Sequence, residues 1–398
     1  MANTLTNLIP SLYAGLDTVS RELVGFAPAV ARNSSAERAA VNQTVTYHVS
    51  PTGTSGNTTP AMTVPEPTDQ TIGTGTITIT KSKNAEFGFV GEEVLGLNSG
   101  PGYSAVQADM FAQAVRILVN EIEVDIAAAA VAAASRAHGT IGTTPFASNM
   151  ADMANLRKIL VDNGSPAADL NMVIDTTTGV NVQTLYGINN ARDWSQVPMN
   201  QQGVLVSPMG IALRESAGFA DHTTGTAVGA TTSNAGFAVG TTSIALASAG
   251  SGTILAGDVI TFAGDANKYV VVTGDADVSG GGTIVIQEPG LRVAIGASTT
   301  AITVERYTAP SPDVNLWSPA GVAFYRNAIQ LVTRQPEMAP DSAPGKGPLI
   351  DVMTLTDARS NITFEVSVWG GYRKTRYEVA LAWGVGVTQP RHTALLLR

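Results

Sequence analysis

The 398-residue sequence contains no cysteine, which removes disulfides and thiolate metal sites together and leaves the redox compartment unread. Charge is scarce as well. Only 14% of residues are Asp, Glu, Lys or Arg, and only 6% are aromatic. The formal charge sums to −9, which argues against a dedicated nucleic-acid-binding protein. No apolar run is long enough to cross a bilayer, so no membrane partner is expected. The stretch from Met1 to Thr6 lacks a basic segment leading into an apolar core, so no secretory signal is expected and the chain should stay inside the cell that makes it. In place of these features stand 40 glycines and abundant Thr and Ser. Such a composition suits a turn-rich β protein that covers part of its surface with neighbours. A chain of this length can form two or three domains with a substantial core.

Catalytic patterns are missing too. His48, His138, His222 and His392 are far apart, and none sits at metal-ligand spacing. Asp221-His222 has no partner nucleophile. Gly100-Pro101-Gly102 precedes a helical pattern without a Walker lysine. Glu121 and Asp125 are four residues apart, with Glu123 directed elsewhere, and read as a solvated acidic face. No enzyme activity and no cofactor or metal are expected.

What is present is organised around Ser104 to His138, which reads as one unbroken helix roughly 50 Å long. Ser104 and Gln107 suit a capping box, and Gly139 a left-handed C-cap. Asp109, Gln113, Arg116, Asn120 and Glu123 form a polar stripe. Phe111, Val115, Leu118, Ile122 and Ile126 form an apolar one. From Ala127 to Ala134 every residue except Val131 is Ala, so another backbone can approach closely.

Upstream, Leu5, Leu8, Ile9, Leu12, Leu16, Val19 and Leu23 recur at mostly helical steps. Ala27-Pro28-Ala29-Val30 then extends the chain, giving an arm that packs on something else. Thr44–Val49 and Thr76–Thr80 alternate like strands on either side of a polar stretch from Ser50 to Gly75, which suggests a long projecting hairpin. Downstream, Ser148–Val161 reads as a helix ending near Asn163-Gly164. Leu170–Ile174 is a buried strand, and another helix starts after Asp175. Residues 187–236 are irregular and include Arg192, Asp193 and Trp194. From about Gly236 to Val304 helix potential drops, and short strands follow at Thr242–Leu246, Asp258–Phe262, Lys268–Val272, Thr283–Ile286, Leu291–Ile295 and Ala301–Val304. This indicates a small β-barrel or sandwich inserted into helix-containing sequence. Beyond it, residues 315–332 give a short helix or turn and then a strand. Thr363–Trp369 and Tyr377–Gly386 are long β-runs, with Arg373, Lys374 and Arg376 in the turn between them. Residues 359–398 carry six basic and two acidic side chains.

The order of these parts resembles the major capsid proteins of tailed bacteriophages, the Hong Kong 97 fold. More narrowly, it resembles the short-tailed Salmonella-phage type coat proteins that carry an inserted β-barrel. Leu255-Ala-Gly-Asp-Val-Ile-Thr-Phe-Ala-Gly264 is similar to the opening of that barrel. Asn361-Ile362 onward, above all Ala380-Leu-Ala-Trp-Gly-Val-Gly-Val-Thr-Gln-Pro-Arg391, is similar to the closing strand and tail. The resemblance implies an α+β capsid fold with an N-terminal arm at 1–43, an extended hairpin (E-loop) at 44–90 and a peripheral domain with a spine helix at 91–142. It further implies an axial domain at 143–235 and 307–338, an inserted barrel at 236–306 and peripheral C-terminal strands at 339–398.

The implied function is a coat protein that self-assembles as pentamers and hexamers into an icosahedral shell around double-stranded DNA. Assembly would take place in the host cytoplasm. A portal is implied as a partner, and a separate scaffolding protein as well, since no scaffolding segment precedes the arm. A tail-associated or adhesin-like receptor-binding protein is the alternative. Candidates for contact between subunits are Met62, Val64, Ile72, Lys81, Lys83, Arg192, Asp193, Trp194, Arg373, Lys374 and Arg376. Lys81 and Lys83 are similar in place to crosslinking lysines of some family members, without a matching acid-and-asparagine site. Contact with DNA would be non-specific, with Arg21, Arg32, Arg38 and the basic C-terminal residues offsetting carboxylates on the inner face.

Overall fold

The computed structural model describes residues 23–49, 55–60, 62–63, 69, 72–98, 102–189, 208–307, 315–338, 348–357 and 359–398. Residues 27–30 do not extend the chain as expected. They belong to a turn in which the Ala29 and Val30 N–H groups donate to the Phe26 carbonyl at 2.8 and 3.1 Å. Strands β1 (Ala31–Ala39), β2 (Thr44–Val49), β3 (Gly73–Thr78) and β4 (Lys81–Val90) follow, then helices α1 (Gly91–Asn98) and α2 (Tyr103–Ala132).

Helix α2 is the long helix that the periodicity predicts, but both of its ends differ. Gly102, not Ser104, is the N-cap and offers no side-chain hydrogen bond, and Ser104 lies inside the helix. The helix stops after 30 residues, about 45 Å, and does not reach His138. Ser135 donates from both N and Oγ to the Thr393 carbonyl, at 2.8 and 2.7 Å. That capture turns Arg136–His138 into strand β5.

The chain continues through α3 (Ala151–Asp162), β6 (Leu170–Ile174), α4 (Thr176–Asn189), β7 (Ile211–Glu215), β8 (His222–Thr223), β9 (Ser243–Leu246), β10 (Val259–Phe262), β11 (Lys268–Thr273), β12 (Gly282–Ile286) and β13 (Ile302–Val304). Helix α3 ends at an Asn163 C-cap, followed by Gly164 at a φ of 80°, as the sequence suggested. Asp175 Oδ1 accepts the Thr177 N–H at 2.9 Å and starts α4. Leu291–Ile295 is no strand and contributes one bridge, Ile295 to Phe237. After β14 (Leu316–Trp317), residues 315–332 give no α-helix. Strands β15 (Pro319–Tyr325) and β16 (Ile329–Pro336) are joined by one short helical turn. Strands β17 (Leu349–Thr356), β18 (Thr363–Gly371), β19 (Lys374–Val387) and β20 (Thr393–Leu397) complete the order.

Two large sheets result. The six-stranded sheet runs β1-β16-β19-β18-β17, with β4 also paired to β19. The ten-stranded sheet runs β13-β10-β11-β5-β20-β15-β6-β7, with β12 and β9 added beside β11. Helix α2 crosses from one to the other. Its first half buries Val115, Leu118 and Ile122 with Phe364, Leu381 and Trp383 of the six-stranded sheet. Its alanine-rich half, with Ala127 and Ala130, and Ala134 just past its end share that core with Val322, Phe324, Leu395 and Leu397. Behind the ten-stranded sheet, Met153, Leu156 and Leu160 of α3 pack with Met172, Ile174, Ala394 and Leu396. The sheet's middle strands are therefore covered on both faces, and Thr393–Leu397 is buried at every position. Continuous apolar runs are what such strands require.

A separate core gathers Ala227, Ala230, Ile244, Ile260, Phe262, Tyr269, Ile284, Leu291 and Ile302. It uses residues before Gly236, because Thr231 and Thr232 bridge to Ala301 and Leu246. Asp258, wholly buried, accepts N–H bonds from Gly225 and Leu255 and faces His222 Nε2 at 3.0 Å. We expect a segment spanning 224–306 to fold alone with a cooperative melt, and 236–306 to be markedly less stable. Equal melting of the two segments would show that Ala227 and Ala230 add nothing.

Candidate assembly surfaces

The ribbon of β2 and β3 is antiparallel throughout, from Thr44 opposite Thr78 to Val49 opposite Gly73. Its base rests on β19, where a Cβ at Gly384 would collide with the Thr78 carbonyl and one at Gly386 with Ile77. These two glycines let one strand cross close over another. A small core of Ala39, Ile77, Ile79, Val332 and Ala382, with Val45 and Tyr47 against it, holds that base. Beyond it no described residue covers the ribbon. Every described residue from 55 to 72 is exposed, Met62 completely and Ile72 at 65%. Val64 lies outside the described residues, as do Arg192, Asp193, Trp194 and Arg21.

Past the ribbon, β4 leaves the hairpin and joins β19 for its whole length, from Lys81 opposite Trp383 to Val90 opposite Lys374. The extended hairpin is thus the 44–78 ribbon, and 81–90 belongs to the body. Phe87 packs at 4.8 Å from Phe111 of α2 and 5.3 Å from Tyr377, measured between ring centroids. The Tyr103 and Tyr377 hydroxyls lie 3.1 Å apart. At the other end of β4, Lys81 Nζ donates to Asp125 at 2.8 Å and Glu121 at 3.0 Å, and Lys83 pairs with Glu121 at 2.5 Å. Asp125 also accepts the Trp383 Nε1–H at 2.9 Å. Glu121 and Asp125 are therefore not simply a solvated face. Burial opposes the charge of Lys81, but its hydrogen bonds to Asp125 and Glu121 outweigh it and raise the pKa. In Glu121, burial pushes upward and the two lysines hold the carboxyl below its ordinary value. Half-exposed pairs of this kind contribute about 0–1 kcal/mol each, so their role is to fix where β4 leaves the ribbon.

Glu123 is the buried member of this helix segment, 2% exposed. It accepts N–H bonds from Gly25 (3.2 Å), Phe26 (2.9 Å) and Ala27 (2.6 Å), and the Ser216 hydroxyl at 2.9 Å. The arm beyond Leu23 therefore packs on its own subunit. Phe26 stacks at 6.2 Å from Phe324, and β1 runs parallel to β16. The polar-stripe assignment missed Glu123, although Val119 and Ile126, four residues before and three after, are both buried.

The basic candidates divide. Only Tyr372 and Arg373 form the turn between β18 and β19, while Lys374 and Arg376 are already in β19. Arg376 pairs with Glu86 across the strand pair, and the Arg373 guanidinium lies 5.7 Å from the centroid of the exposed Tyr372 ring. Arg32 donates to the Ser360 and Asn361 carbonyls, both at 2.8 Å, and Arg38 pairs with Glu365 at 2.7 Å. Both tie the arm to the sheet.

Among the described residues strand β17 is an edge, paired only to β18, and it exposes Ile350 and Met353 by more than half. Long apolar edges are normally covered. Among the described residues no cluster of His, Asp and Glu could hold a metal, and no helix is long and apolar enough to cross a membrane.

No protein-family model and no curated protein matches this sequence. Among solved structures the chain is similar to the capsid structure of the cyanophage P-SCSP1u, with 12% identity, 100% of this chain and 95% of that one covered, and a TM-score of 0.47. It is similar to the capsid of Ralstonia phage GP4, with 8% identity, 95% and 92% covered, and a TM-score of 0.45. A third similarity is to the capsid of the native GTA particle, with 9% identity, 100% and 99% covered, and a TM-score of 0.44. All three of these solved structures are capsids, two of phages and one of a GTA particle.

Proposed function

We propose that this chain is the major capsid protein of a tailed bacteriophage, a structural subunit that self-assembles into the icosahedral shell enclosing double-stranded DNA. The observation that carries this reading is the ribbon. A two-stranded ribbon is marginal by itself in water, and this one extends beyond its small basal core with Met62 and Ile72 bare to solvent. A second subunit is the natural cover. The six-stranded sheet with the first half of α2 would be the peripheral domain, the ten-stranded sheet the axial domain, and the 227–304 core the inserted barrel. Scaffolding protein, portal and non-specific contact with DNA are the further partners of such a shell, and the host cytoplasm its place of assembly. No observation favours a tail or adhesin role.

Electron microscopy and sedimentation of the purified protein test the reading directly. Shells or capsomers are expected. Met62→Asp and Ile72→Asp should leave a subunit with unchanged melting that assembles at least tenfold less well. Protease should cut the ribbon quickly in the free subunit and slowly in the shell. Equal protection in both forms, or a protein that remains monomeric under all assembly conditions, would sink the reading.

A further inference from the structure

At one end of the six-stranded sheet a projection and a cleft lie side by side. The projection is the turn between β18 and β19. Its Tyr372 is 89% exposed, and Arg373 follows with a φ of 55°. Glycine or asparagine holds such a backbone at less cost, so the turn itself gives no reason for an arginine here. The Arg373 guanidinium lies 5.7 Å from the centroid of the Tyr372 ring. Tyrosine and arginine are among the residues that most often anchor protein interfaces. The cleft, of about 580 Å³, opens between the end of β4, the start of α1 and this same turn. Val94, Tyr103 and Ile350 supply apolar lining, and Glu92 and Lys374 supply charge. Tyr372 is not part of the lining.

We infer that Tyr372 of one subunit enters this cleft on a second copy of the chain, as a knob in a socket. The contact presupposes the self-assembly proposed above and assigns it a surface. A tyrosine side chain buries about 150–250 Å², and one seated in the cleft would cover Ile350, which is otherwise 58% exposed. Charge selects the partner. Lys374 follows the knob by two residues, so a knob arriving from outside brings a cation to a socket that holds Glu92. Within one subunit Glu92 and Lys374 line the same cleft but have no ion-pair partner among the described residues. Knob and socket adjoin, so each copy gives and receives at the same corner. A contact of that kind closes on itself about a local symmetry axis and does not run on as a filament.

Tyr372→Ala should leave the melting of the dilute subunit unchanged and reduce assembly at least tenfold, measured by sedimentation. Glu92→Lys and Lys374→Glu should each reduce it as well. An equimolar mixture of those two variants should assemble several-fold better than either alone, because the knob of one then meets the socket of the other. Mixing cannot restore a pair that forms within one chain. The absence of cysteine gives a direct check. The double variant Tyr372→Cys with Val94→Cys should form disulfides between chains under assembly conditions and none as dilute subunit. Shells formed by Tyr372→Ala at the wild-type level would overturn the contact and leave the capsid reading standing. A mixture no better than its components, or a disulfide closed within one chain, would do the same. A wild type that never assembles would overturn both.

Discussion

Glu123→Ala should lower unfolding free energy by about 3–5 kcal/mol, a large part of the ~5–15 kcal/mol that folded domains have. The substitution removes no apolar packing to speak of. It orphans three backbone N–H groups, those of Gly25, Phe26 and Ala27, and the Ser216 hydroxyl. Each buried donor left without a partner costs about 1–3 kcal/mol, and the costs are not additive because water can enter the space. Glu123→Gln should fall between, since its amide keeps one acceptor and turns an NH₂ towards N–H donors. The urea midpoint at constant m measures both. A loss below about 1 kcal/mol for the alanine variant would mean that the arm is not held there.

The same group sets a pH dependence. Burial raises the Glu123 pKa above its ordinary value of 4.5, and its four hydrogen bonds only partly pull it back. The folded state therefore keeps its proton to higher pH than the unfolded chain. Its contribution is fully present below the ordinary carboxylate value and is lost as pH rises through the folded value. Because the glutamine side chain does not titrate, the wild type should lose stability relative to Glu123→Gln as pH rises through the folded value, so the deficit of the glutamine variant should be largest at acid pH and narrow upward from there.

Trp383→Ala is expected to cost a similar amount, about 3–5 kcal/mol, through the cavity that it leaves. The ring is fully buried, and its Nε1–H holds Asp125 at 2.9 Å, the residue that in turn binds Lys81. Its carbonyl accepts the Thr80 N–H at 3.1 Å, at the junction of ribbon and body. Trp383→Phe keeps most of the volume and should lose only the hydrogen bond, about 1–2 kcal/mol. Hydrogen exchange should separate the two. The alanine variant should expose the β4 amides as well as destabilise the whole. A phenylalanine variant as damaged as alanine would show that the Asp125 contact outweighs the packing.

Local pattern made some of this readable. The apolar stripe of α2, the run at Leu170–Ile174 and most strands of the 227–304 core announce themselves by period or by bounding turns. The α+β class and the ribbon follow from the same signals. What could not be read is whatever depends on a distant partner. Arg136–His138 looks like a continuation of α2, because Thr393, which captures it, is 258 residues away. Strand β20 has no alternation, since both of its faces are buried. Lys81 and Lys83 meet their acids only once β4 is laid beside α2. Glu123 sits at a helical position between two stripes, and only the turn at Phe26 shows which one it belongs to.

The position of β20 has a consequence for the route by which the subunit folds. It lies between β5 and β15, parallel to one and antiparallel to the other, and more than 250 residues separate β5 from it. Contacts of such high order form slowly, because the entropy of closing the loop is lost before any pairing repays it. The barrel core and the ribbon, built from nearer neighbours, can form early. Until β20 is threaded in, β5 and β15 present open edges to any other chain. The rate of that one insertion, set against concentration, decides between a folded subunit and an aggregate.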